Sequence, residues 1–84
     1  MPRFLMAVWH RVAAPDRPEA MRLWRVRRNQ LAADGVRHWL FVSDADPDSF
    51  LEFTEAGDPG VLRAARSRAG LLETVPILTE VELP

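Results

Sequence analysis

Hydrophobic and polar positions change period several times along the chain, and the changes predict six elements. Arg3 to Val12 reads as a strand, with Phe4, Met6, Val8, His10 and Val12 on one face. Leu5, Ala7 and Trp9 share the other face, so both faces are apolar and both need cover. Asp16 then offers a helix cap, with Glu19 as its reciprocal partner and Pro18 in the first turn. The helix runs to about Asp34, where Gly35 supplies the stop. Its predicted apolar stripe is Ala20, Leu23, Trp24 and Leu31, with Met21 at the edge and Arg27 and Arg28 beside it. Val36 to Ser43 reads as a second strand, with His38, Leu40 and Val42 opposite Trp39 and Phe41. Asp44 to Asp48 is a turn, and Ser49 to Ala56 a third strand. Asp58 and Pro59 open a short helix with a stripe of Val61, Leu62, Ala65 and Ala69, closed by Gly70. Val75 to Leu83 is the last predicted strand.

This order, β-α-β-β-α-β, predicts an α+β domain of ferredoxin-like form spanning residues 1–84. Right-handed crossovers give a four-stranded antiparallel sheet of order 4-1-3-2 with two helices on one face. The helices leave the other face of the first three strands uncovered. A second copy packed on that face is the simplest cover, so the expected assembly is a homodimer joined through the sheet faces.

Composition narrows the chemistry. A net charge of −1 gives no general attraction to nucleic acid or to an acidic membrane. The absence of cysteine removes thiolate catalysis and cysteine-ligated metal. All 11 basic side chains are arginine, which a GC-rich coding bias explains. No apolar run has the length of a membrane span and the N-terminus has no signal-peptide pattern, so the expectation is a cytoplasmic protein. An RNA-recognition role would need exposed aromatics and basic residues on the third strand. That strand reads Phe50-Leu51-Glu52-Phe53-Thr54-Glu55, which is acidic, and no nucleic-acid partner is expected.

Asp44, Asp46, Asp48, Leu51 and Glu55 match the spacing of a calcium loop, but Ser49 holds the glycine position, Pro47 stiffens the loop and the flanks are strands. The segment reads as an acidic hairpin turn. His10 lies late in its strand and His38 early in its own, which places them far apart within one subunit and predicts no shared metal. No bound metal or other cofactor is expected. His10 is the candidate proton acceptor, since its strand face is apolar. Trp24, Arg27 and His38 are candidate ligand-binding residues: an aromatic wall, a cation for an anionic group, and a polar contact. Ser43, Ser49 and Ser67 have no histidine near them, so no nucleophilic triad is visible.

The first strand, Phe4-Leu5-Met6-Ala7-Val8-Trp9, and the stretch from His38 to Phe53 resemble the dimeric α/β-barrel superfamily, within it the antibiotic-biosynthesis-monooxygenase-like proteins. The stretch matches in its strand, its acidic Asp-Pro turn, and a strand with an inward aromatic and a glutamate. Many relatives carry a Glu followed shortly by Trp on the third strand; here Glu52 is followed by Phe53. The resemblance implies a small dimeric enzyme, a cofactor-independent monooxygenase acting on an aromatic or polyketide-like molecule. The alternative from another class is a non-catalytic dimer that binds a small aromatic ligand in the same cavity.

Overall fold

In a computed structural model, residues 2–84 are described. The elements are β1 (Phe4–Arg11), α1 (Arg17–Ala33), β2 (Arg37–Val42), β3 (Ser49–Ala56), α2 (Pro59–Arg68) and β4 (Leu78–Thr79). They form a four-stranded antiparallel sheet of order β2-β3-β1-β4, the expected topology. Between helices and sheet, Met6, Leu31, Val36, Ala56, Leu62, Ala65 and Leu71 make one apolar core, with Phe4, Ala69, Val75 and Ile77 packed against it. Trp24 and Phe50 are also buried but lie outside that core, against each other at 5.3 Å between ring centroids.

Several local details differ from the sequence pattern. Asp16 does not cap α1 with its side chain. A 3₁₀ turn at Ala14–Asp16 precedes the helix, so the Asp16 backbone is already helical (φ −94°, ψ −7°), and an N-cap side chain needs extended backbone to reach the first amides. Glu19 pairs with Arg22 instead. Asp58 does have extended backbone (φ −144°, ψ 130°), and its Oδ1 accepts from the Val61 amide at 3.0 Å. The inward line of α1 is Ala20, Trp24, Arg27 and Leu31, while Leu23 is half exposed. In α2 the inward residues are Leu62, Ala65 and Arg66, and Val61 faces outward.

The strand expected from Val75 to Leu83 shrinks to two residues, paired as Phe4 with Thr79 and Leu5 with Leu78. Proline limits it at both ends. Pro76 has no amide to give the ladder, and continuing the register would bring Val81 opposite Pro2, which also lacks one. A final backbone bond, Glu80 N to Arg3 O at 2.8 Å, closes the edge.

The sheet's far side is open in this single chain. Register places Ala7, Phe53 and Trp39 in one cross-sheet row and Trp9, Leu51 and Phe41 in the next. Trp9 is 62% exposed and Phe41 54%. A shallow concavity lies among Arg3, Leu5, Trp39, Phe41 and Phe53 on the same side.

Candidate functional site

The site is built on β3. Phe50, Glu52, Thr54 and Ala56 alternate toward the helices, and all are buried. A carboxylate here is costly to bury unless its oxygens are fully partnered. Glu52 is wholly buried and pays that cost with contacts from three other elements. His10 Nε2 of β1 lies 2.8 Å from Oε1, and His38 Nε2 of β2 lies 2.7 Å from Oε2. Arg27 Nη1 of α1 donates to both oxygens, at 2.8 and 3.0 Å.

Antiparallel register explains this convergence. Glu52 is directly opposite Val8 and Leu40. His10 is opposite Phe50, two residues before Glu52, and His38 is opposite Thr54, two residues after it. Both histidines are therefore diagonal neighbours of Glu52 on the same sheet face, at the roughly 7–8 Å backbone spacing that long side chains can span. His10 and His38 stand on opposite flanks of β3, four residues apart in its register, and one central carboxylate bonds both. Strand separation alone predicts two distant histidines; it omits the acid midway between them. The signal for it was available, since Glu52 is a charged residue in phase with Phe50 and Thr54 on a central strand.

Electrostatics fixes the proton positions. Burial pushes the Glu52 carboxyl up, but the hydrogen bonds from His38 and Arg27, the Arg27 charge and the hydrogen bond from His10 together outweigh it and hold the pKa at about 2. An ionised carboxylate only accepts, so both imidazoles present Nε2–H to it. For His38, Nδ1 then faces Arg28 Nε at 3.5 Å, the outer limit of a hydrogen bond. For His10, Nδ1 has no partner among the described residues, and the side chain is 23% exposed. Its ring meets Trp24 edge-on at 5.7 Å.

The predicted site residues thus come together, with changed roles. Arg27 is bonded to Glu52, and the arginines beside the neighbouring concavity are Arg25 and Arg28. A concavity of 170 Å³ lies between α1 and β2, lined by Met21, Trp24, Arg25, Arg28, His38 and Leu40. Its wall contains Trp24 and His38, but neither His10 nor Arg27. A broader surface depression continues past Arg28 and His38 to Trp39. In the acidic turn, Asp46 is paired with Arg11 at 2.6 Å and Asp48 with Arg17 at 2.8 Å. Among the described residues no group of three or more His, Cys, Asp or Glu side chains is placed to hold a metal ion. No helix among them is long and apolar enough to cross a membrane.

Among solved structures, the chain is similar to an antibiotic biosynthesis monooxygenase-like protein from Nitrosomonas europaea, with a TM-score of 0.73 at 14% identity over 96% of this chain and 90% of that one. The chain has the antibiotic-biosynthesis-monooxygenase fold. A second similar structure, an antibiotic biosynthesis monooxygenase, gives 0.66 at 16% identity with both chains covered in full. Rv0793 from Mycobacterium tuberculosis gives 0.61 at 14% identity, over 100% of this chain and 97% of that one. No protein-family model and no curated protein matches the chain. At these identities the shared property is the monooxygenase-like fold, and the chemistry has to be argued from Glu52 and its partners.

Proposed function

We propose that this chain is a homodimeric, cofactor-independent monooxygenase acting on a small aromatic or polyketide-like molecule, with His10 as the proton acceptor. The observation that carries the reading is the pairing of the two ring nitrogens of His10. Nε2 is tied to an ionised carboxylate, Nδ1 has no partner among the described residues, and the side chain as a whole is partly exposed. That arrangement suits a general base, because an imidazolium formed at His10 is stabilised by the carboxylate 2.8 Å away. Glu52 orients both histidines, and Arg27 keeps Glu52 ionised. Trp24 links the base to the concavity, its ring meeting His10 edge-on at 5.7 Å on one side and walling, on the other, the space where Arg28 offers a cation for the substrate anion.

In the proposed reaction His10 removes a proton from an acidic C–H beside a phenol or carbonyl. The resulting carbanion passes one electron to dioxygen, the radical pair joins in a C–O bond, and the proton held by His10 returns to the peroxide oxygen to give a hydroperoxide. Loss of water from the hydroperoxide then leaves a new carbonyl, so that CH₂ and O₂ become C=O and H₂O. The exposed Trp9 and Phe41 on the open sheet face support the dimer, since an apolar surface of this kind needs cover.

The test is oxygen uptake with a panel of aromatic C–H acids, comparing the wild type with His10→Ala. The expected result is substrate-dependent uptake that falls by about 10²-fold or more in the variant, the usual scale for losing a general base. Equal rates in a folded variant would remove His10 from the chemistry. Saturable quenching of tryptophan fluorescence without oxygen uptake by the wild type would favour a non-catalytic ligand-binding dimer.

A further inference from the structure

A second buried cation lies away from the Glu52 cluster, on α2. Arg66 is only 2% exposed. Its Nη1 donates to Thr54 Oγ1 at 2.8 Å, and Thr54 in turn reaches Met6 O at 3.5 Å. Its Nη2 is buried with no hydrogen-bond partner. The nearest acid, Glu73, stands 3.7 Å from Nη2, too far for a hydrogen bond, and its side chain is 38% exposed. A guanidinium is donor-only and permanently charged, so a dry, unmet N–H on it is expensive.

Arg66 also lines a concavity of 310 Å³ between α2 and the segment leading to β4. Arg63 is at the same wall, Met6, Leu71 and Val75 supply apolar surface, and Glu73 stands among them. Such a volume sits at the small end of ligand pockets, roughly 300–1,000 Å³. An unmet guanidinium N–H beside apolar side chains suits a carboxylate carrying a short hydrocarbon body, because the planar fork matches a carboxylate's two oxygens.

We propose that the concavity between α2 and residues 71–75 is a binding site for a small monocarboxylate with an apolar body, its carboxylate held by Arg66 and Arg63. Glu73 is the internal competitor: it faces Arg66 at ion-pair distance when the site is empty of ligand, and it moves toward solvent when a carboxylate enters. The site is separate from the cluster around Glu52, and its occupancy does not depend on oxygenase chemistry.

The test is a titration of the isotope-labelled full chain with hexanoate, followed by NMR of the backbone amides and the arginine Nε–H groups. Hexanol and inorganic phosphate serve as comparison probes. Expected are saturable shifts at Arg66 and at residues 71–75 with hexanoate, none with hexanol, and weaker ones with phosphate. Glu73→Gln removes the competitor and should tighten hexanoate binding by about fivefold, the scale of one partly exposed ion pair. Arg63→Ala, on the exposed side of the helix, should weaken it by about threefold on the same scale. The proposal is overturned if neither the wild type nor Glu73→Gln saturates, or if hexanol or phosphate matches hexanoate. Shifts centred on Arg28 and His38 would equally overturn it, by placing the anion at the other concavity.

Discussion

Replacing Glu52 by Gln tests the central arrangement directly. The variant keeps the shape and removes the charge. In the wild type the carboxyl sits at about 2, against 4.5 without the fold's contacts. A shift of this size corresponds to roughly 3 kcal/mol of folding stability at neutral pH. Because the folded value is depressed, that contribution is present in full above about pH 4.5 and is lost as pH falls toward 2. Removing one partner of a buried ion pair gives a similar figure, about 3–5 kcal/mol, since Arg27 loses its counter-charge and the new NH₂ group is turned toward a partner that also donates, leaving only one acceptor oxygen. For 84 residues, the total is only about 4–12 kcal/mol at the usual 0.05–0.15 kcal/mol per residue. Urea titration followed by tryptophan fluorescence should therefore lower the midpoint by roughly 2 M or more, taking a slope of about 1–1.5 kcal/mol per molar. Repeating the titration from pH 5 to 2.5 should show the two proteins converging, because only the wild type still has this contribution to lose. The surface carboxylates lowered by arginine partners, Glu19, Asp46 and Glu80, are common to both proteins and largely cancel in the difference. A variant within about 0.5 kcal/mol of the wild type, or pH profiles that stay parallel, would refute the account, since ordinary surface changes fall in that range.

Trp9→Glu places a charge in the open sheet face, 62% exposed in the single chain; sedimentation should change from about twice the chain mass to the chain mass, with the circular dichroism spectrum retained. Gly35→Ala should cost about 1 kcal/mol by thermal denaturation, because φ is +77° there and a Cβ meets nothing within 4 Å, leaving backbone strain as the only penalty. Asp58→Ala should cost about 1 kcal/mol in the same assay by removing the side-chain cap on the Val61 amide.

The fold was legible because its signals are local. The short apolar and aromatic runs of β1 and β3, the Asp58-Pro59 helix start, and Gly35 and Gly70, both at positive φ, follow from a few neighbouring residues each. The topology then followed from crossover handedness. The site was legible only as a set of residues. His10, Arg27 and His38 are joined by the carboxylate of Glu52, and Trp24 through the ring of His10, whereas the sequence pattern marks Glu52 only by its place on the third strand. Its importance lies in register, a long-range property: a shift of two residues between β2 and β3 would have separated His38 from it. Arg66 was missed for a different reason. On a short helix an arginine reads as solvated, and only the packing of residues 71–75 makes it buried. Val75 to Leu83 was over-extended because apolar alternation does not register which amides proline removes.

The four-way junction at Glu52 also governs how the chain breathes. One carboxylate joins β1 through His10, α1 through Arg27 and β2 through His38 to β3 itself. None of these segments can swing away without leaving the same buried anion short of a donor. Their amides should consequently exchange with solvent deuterium through a shared opening event with a common free energy. The α2 helix lies outside that linkage: Arg66 bonds to Thr54, Arg68 to Asp34, and Leu62 and Ala65 hold the helix in the apolar core. Its opening is resisted by apolar packing and not by the shared carboxylate, so Glu52→Gln should speed exchange from His10 to Glu52 more than exchange beyond Asp58.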